Sequence, residues 1–117
     1  MDDARKFVLR EAKRGVRYDG IVMDPPAFGR GAKGEVWKIE KDLPGLLEDC
    51  AKILSGQPVF FLINGYAVGY PAMEYYNLLA PVMKKYGGCF EAGELAIQES
   101  GKGRLLPAGV FARWSAK

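Results

Sequence analysis

The chain has 117 residues, 49% hydrophobic and 26% charged, with a formal net charge of +3. This is ordinary globular composition, enough for one compact core, and the mild charge permits a nucleic-acid partner without demanding one. There is no histidine, and Cys50 and Cys89 stand far apart without metal-ligand spacing, which removes the usual Ser–His and Cys–His hydrolase mechanisms and predicts no metal site.

Both cysteines are expected as small buried apolar residues. No apolar run approaches the ~20 residues that span a bilayer, and the charged N-terminus does not read as a secretory signal, so a cytoplasmic protein with no membrane partner is expected.

Residues 2–13 carry Ala4, Phe7, Val8 and Ala12 at helical spacing, with Asp2 or Asp3 to cap the start and Gly15 to end it. Residues 18–23 form a short strand-like run closed by two prolines. Residues 28–36, with Gly29, Gly31 and Gly34, read as a mobile surface loop. A second helix follows, with the stripe Leu43, Leu46, Leu47, Cys50, Ile53 and Leu54, Pro44 near its start and Gly56 past its end. Trp37 and Ile39 extend it by a turn or pack as a separate lid.

Residues 59–63 are uninterruptedly apolar, as expected of a strand covered on both faces. Residues 71–86 are helical in pattern, with Pro81 expected to kink or shorten the helix. Residues 89–97 and 105–114 read as strands joined by the turn-rich stretch 99–103. The order predicts an α/β fold, with parallel strands followed by an antiparallel hairpin. The whole chain, 1–117, is then one domain or part of one.

Asp24, Pro25, Pro26, Ala27 and Phe28 follow the first strand directly, at the strand end where open α/β sheets do their chemistry. Proline fixes φ and gives up its N–H, leaving backbone carbonyls free to accept from a planar donor group. The competing reading makes Asp24 a turn cap and Phe28 a core residue.

This pentapeptide at a strand end resembles motif IV of class I S-adenosylmethionine-dependent methyltransferases, in the form found in ribosomal RNA large-subunit methyltransferases that carry a PUA or THUMP domain. The order of elements is similar to the second half of that catalytic domain. The resemblance implies a partial Rossmann-like methyltransferase sheet, with parallel strands, a C-terminal antiparallel hairpin and helices on both faces. It implies S-adenosylmethionine as cofactor and a base of ribosomal RNA or another nucleic acid as substrate. Asp24 and the Pro25 carbonyl would then accept from the target amine, with Pro26 the next residue of the catalytic motif and Phe28 the stacking platform.

Residues 2–7 resemble motif III, which implies adenine contacts from Asp3, with Asp2 second and the backbone N–H of Ala4 beside them. An acidic pair opening a helix is equally a cap. Relatives that methylate cytosine at C5 need a cysteine after the next strand, where this sequence has Ile63, Asn64, Gly65 and Tyr66. That argues against C5 methylation; Asn64 and Tyr66 orient a substrate or turn the chain.

Arg30, Lys33 and Lys38 suit phosphate contacts with RNA or DNA, although a solvated loop would look the same. Tyr66, Tyr70, Tyr75 and Tyr76 offer stacking surfaces or sit half-buried with the hydroxyl wet. In the resemblance, the glycine-rich cofactor turn precedes residue 1, so this stretch alone is expected to bind cofactor weakly or not at all. The alternative is a folded, inactive fragment or a small α/β interaction module that pairs with a second copy through the exposed sheet edge at residues 18–23.

Overall fold

A computed structural model of the chain describes residues 4–25, 28–30, 36–65 and 70–117. Helix α1, Ala4–Arg14, ends where Gly15 adopts φ +75°. The amide of Gly15 donates to Ala12 and that of Val16 to Glu11, a left-handed C-cap that a side chain bearing Cβ would resist. The chain then reverses into strand β1, Gly20–Met23. Tyr18 bridges to Leu54 just before it, and its hydroxyl donates to the buried Glu11 at 2.6 Å.

Beyond β1 the chain forms a small antiparallel pair, β2 (Phe28–Arg30) and β3 (Val36–Lys38), with Gly29 opposite Trp37. Of the loop expected over 28–36, residues 28–30 and 36 are strand, and 31–35 lie outside the described residues. Phe28, Val36 and Trp37 are strand-prone residues. Helix α2, Ile39–Ala51, starts immediately after β3, so Trp37 belongs to a strand and Ile39 to the helix. Its stripe Leu43, Leu46, Leu47 and Cys50 is buried as the spacing predicts.

Strand β4, Phe60–Gly65, leads into helix α3, Ala72–Met83. Tyr75, Leu79 and Met83, four residues apart, form the buried face of α3. Pro81 lies in its last turn, and residues Lys84–Tyr86 tighten to a 3-10 turn, the shortening expected of an interior proline. Strands β5, Cys89–Gln98, and β6, Leu105–Ser115, form the closing hairpin.

The four-stranded sheet has the order β1-β4-β6-β5. β1 and β4 are parallel, whereas β6 is antiparallel to both β4 and β5. This is the expected partial sheet, and it leaves β1 at one edge. A register shift between Glu94 and Ala96, with Gly109 at φ +116° across from it, marks a glycine bulge.

The core lies on one side of this sheet. Phe61, Ile63, Ala112 and Trp114 from the strands meet Val8 of α1, Leu43 and Leu47 of α2, and Tyr75, Leu79 and Met83 of α3 in a single cluster. Among the described residues, all three α-helices feed that cluster. The opposite face carries Val22 at 63% exposure and Phe60 at 37%, together with the Arg113–Glu91 ion pair. Among the described residues, no helix packs on that face.

The alternating burial of β4 corrects the expectation that it is covered on both sides. Its apolar run supplies one face to the core and leaves Phe60 exposed on the other. Cys50 is buried as expected, but Cys89 is exposed, because it opens an edge strand and pairs with Ser115. Among the described residues no helix is long and apolar enough to cross a membrane.

Candidate functional site

The parallel register of β1 and β4 runs from Gly20 opposite Phe60 to Met23 opposite Ile63. Both strands therefore end on the same side, with Asp24 leaving β1 beside Asn64 and Gly65 of β4. Parallel strands ending together create the crevice in which open α/β sheets hold ligands. Asp24 is exposed there, Pro25 is buried and Asn64 is half-buried. A carboxylate in water is thus mounted on a fixed proline, which is the geometry of an acceptor held out to a ligand.

Gly65 has a packing role that the sequence alone does not disclose. A Cβ at this position would collide with the hydroxyl and ring of Tyr75, so the phenol lies directly against the strand backbone. Tyr75 is 1% exposed, and its hydroxyl has no hydrogen-bond partner among the described residues. Burial pushes its pKa up, and the Asp24 carboxylate adds to that by disfavouring a second negative charge nearby. The phenol stays proton-bearing beneath the strand ends. This differs from the wet hydroxyl expected at Tyr75; its register with Leu79 and Met83 was the signal for burial. Tyr76, by contrast, is 36% exposed and packs edge-on against Phe90.

Phe28 and Arg30 follow the site on β2, their backbones paired with Lys38 and Val36 of β3. The structure thus sets Asp24 and Pro25, at the end of β1, beside Asn64 of β4. Ala4 is exposed at the start of α1, a helix tied to α2 by the Arg5–Asp49 ion pair at 2.9 Å. Asp2, Asp3, Pro26, Lys33 and Tyr66 lie outside the described residues. Two shallow grooves sharing Tyr76 and Asn77 follow α3 beside β5, and neither is lined by the strand ends.

The first-turn amides of a helix have no intrahelical acceptor. Ala4 stands in that first turn of α1. Cys50, with its thiol pushed up to about 12 by burial and then by the neighbouring Asp49, is inert as a nucleophile.

An open α/β sheet with an Asp-Pro step at a parallel strand end and a reversed C-terminal hairpin is methyltransferase architecture. No protein-family model matches the chain, and no curated protein matches it. Among solved structures, it is similar to the SAM-dependent methyltransferase from Agrobacterium tumefaciens, with 39% identity and a TM-score of 0.89 over 98% of this chain and 38% of that one. SMU.776, solved in complex with SAH, is 21% identical with a TM-score of 0.59 over 97% of this chain and 30% of its own. M1.HpyAVI in complex with SAM is 12% identical with a TM-score of 0.57, over 99% and 51%. The last two likenesses concern the fold alone.

The chain therefore spans 38%, 30% and 51% of the structures it matches. By fold, and by sequence similarity along nearly its whole length, it resembles the class I S-adenosylmethionine-dependent methyltransferases, and it has the fold of the C-terminal half of their catalytic domain.

Proposed function

We propose that this chain is the substrate-gripping half of an S-adenosylmethionine-dependent methyltransferase acting on an amine of a nucleic-acid base, with ribosomal RNA as the preferred class. The observation that carries the reading is the exposed Asp24 on buried Pro25, beside Asn64, at the joint end of two parallel strands. A carboxylate and a proline carbonyl are acceptors, and an exocyclic amine offers two donors. Phe28 then stacks on the flipped base, a contact worth about 1–3 kcal/mol. Arg30, Lys33 and Lys38 take the phosphates, so affinity falls with salt.

When bound, S-adenosylmethionine supplies an electrophilic methyl group. Asp24 and the Pro25 carbonyl accept hydrogen bonds from the two amine N–H groups and orient the nitrogen lone pair, and the one proton the nitrogen sheds on methylation leaves by way of the exposed Asp24 carboxylate to solvent, so catalysis is mainly orientation and exclusion of water. Asp2, Asp3 and the amide of Ala4 are proposed to contact the adenine of the cofactor. Neither Cys50, buried in α2, nor Cys89, at the start of β5, lies at the strand ends, which speaks against covalent C5 chemistry. The site of action is taken to be the cytoplasm.

A second reading is favoured by the β1 edge and the uncovered Val22 and Phe60. In it, the chain by itself is an inactive folded unit that pairs with a second copy through residues 18–23. Titration calorimetry with S-adenosylmethionine, together with transfer of labelled methyl groups to single-stranded RNA and DNA, separates the two. Micromolar binding and RNA methylation support the first reading. Absence of both, with dimers seen by light scattering, supports the second.

A further inference from the structure

The positive charge of this chain is gathered on one element. Helix α1 holds Arg5, Lys6, Arg10, Lys13 and Arg14 against one acid, Glu11, so this helix alone exceeds the formal net charge of +3 of the whole chain. Arg17 extends the run into the connection to β1. All of these cations are exposed, whereas Glu11 is buried. Asp2 and Asp3 precede the helix in sequence, so the excess is greatest in its second half and just beyond it. The neighbouring α2 has the reverse balance, with Glu40, Asp42, Glu48 and Asp49 against Lys41.

Two ordinary causes account for part of this pattern. Lys13 and Arg14 in the last turn suit the helix dipole, and Arg5 and Arg14 pair with the buried carboxylates Asp49 and Glu11. Both carboxylates have a second task, since Asp49 is also bound by Lys52 and Glu11 accepts from the Tyr18 hydroxyl. Neither cause covers the outer stripe. Lys6, Arg10 and Lys13, spaced i, i+4 and i+7, line the side of α1 away from buried Val8. The residues three and four places from Arg10 are Lys6, Phe7, Lys13 and Arg14, and none is acidic. A merely solvated helix face mixes both signs at that spacing, where like charges work against the helix.

A polyanion is the partner this charge fits, and the packing of α1 decides which. A basic amphipathic helix binds a membrane by sinking its apolar face among the lipids. That face is occupied here, because Val8 is buried and Phe7 and Ala12 pack against the core. What remains outside is charge spread along the axis, about 10 Å from Lys6 to Lys13, which suits a backbone that is itself charged along its length. Strand β1, about 13 Å long, separates the connection holding Arg17 from Asp24. A single base does not reach both, and a polymer does.

We propose that α1 and Arg17 form a docking surface for the phosphate backbone of a single-stranded nucleic acid, in addition to Arg30, Lys33 and Lys38, and hold by charge the strand whose target base Asp24 receives. The proposal rests on the reading of the substrate as a nucleic acid. Such a surface positions the strand and reads no sequence.

The test measures binding of a short fluorescein-labelled single-stranded RNA to the 117-residue chain by anisotropy, over a series of salt concentrations. The first variant carries Arg10→Gln, Lys13→Gln and Arg17→Gln, which keep good helix formers in α1 and leave the Arg5–Asp49 and Arg14–Glu11 pairs in place. A charge-matched control carries Lys84→Gln, Lys85→Gln and Lys102→Gln, exposed cations on other elements. A third variant, Arg10→Lys with Arg17→Lys, keeps the charge. Circular dichroism melts report whether each is folded.

The α1 variant is expected to bind about tenfold more weakly at low salt and to flatten the slope of log affinity against log salt by about 2, while the other two stay near the parent. Lys13→Gln alone, expected to flatten that slope by about 0.7, carries the test if the triple variant does not fold. Equal losses in the α1 variant and the control, or no loss in either, overturn the proposal. So does stripe-dependent binding to phosphatidylglycerol vesicles by a chain that does not bind the RNA. Methyl transfer is read separately. RNA held through α1 without methyl transfer supports the docking surface and overturns the catalytic reading, whereas methyl transfer with a rate and a KM for RNA indifferent to the α1 variant does the reverse.

Discussion

The indole N–H of Trp114 donates to the carbonyl of Gly87 at 2.7 Å, tying the end of β6 to the turn that launches β5. Gly87 and Gly88 both adopt positive φ, and a Cβ on Gly88 would sit 2.5 Å from the Ser115 carbonyl oxygen. The turn can pass so close to β6 only because it lacks side chains.

Trp114 is therefore an anchor as well as a core residue. Trp114→Phe keeps a ring in the cluster but gives up the bond and some packing, and it is expected to cost about 1–2 kcal/mol in a urea titration. The same titration on Gly88→Ala is expected to show a comparable loss, since both the left-handed backbone and the contact with Ser115 oppose a side chain.

Two glycines test the asymmetry of the sheet. A Cβ at Gly65 meets the buried Tyr75, whereas one at Gly20 meets the ring of Phe60, which is 37% exposed and free to swing outward. Gly65→Ala is expected to destabilise by about 1–3 kcal/mol as an overpacked site, and Gly20→Ala by clearly less. Combining Gly65→Ala with Tyr75→Leu is expected to recover part of the loss, which thermal melts of the three variants would register.

The hairpin tip responds to acid. Arg104 holds the Glu99 carboxyl below its usual range by bonds of 2.7 and 3.0 Å. A carboxyl depressed in the folded state contributes its stabilisation fully above the ordinary glutamate range and loses it as pH falls through the lowered value. Amide shifts of residues 99–104 in NMR are therefore expected to titrate on acidification. In Glu99→Gln that titration is expected to be absent.

The thiols divide cleanly. Exposed Cys89 is expected to react with a disulfide reagent in the native chain, and Cys50 only after denaturant is added, because burial keeps its thiol protonated up to about 12. Absorbance of the released thiolate, before and after unfolding, distinguishes the two.

Much of this fold was legible in the order of residues. The 3.6-residue stripe of α2, the terminal hairpin and the strand before Asp24 all rest on local periodicity, and the tertiary structure agrees with each. The pairing of β2 with β3 was not legible, because three-residue strands are too short to show a period. The bare second face of β4 was missed because an uninterrupted apolar run carries no alternation from which an exposed face can be told.

At the site, Asp24 and Pro25 could be picked out because prolines punctuate a strand visibly. The pairing of Gly65 with Tyr75 could not. It joins residues on different elements through the absence of one carbon atom, and no local pattern encodes a missing atom's neighbour.

The uncovered face bearing Val22 and Phe60 has a thermodynamic consequence. Any surface that fits over it binds the folded segment and not the unfolded one, so by mass action the melting temperature climbs with the concentration of that surface. Half-upholstered, this sheet has a stability that belongs to the solution it shares as much as to the chain itself.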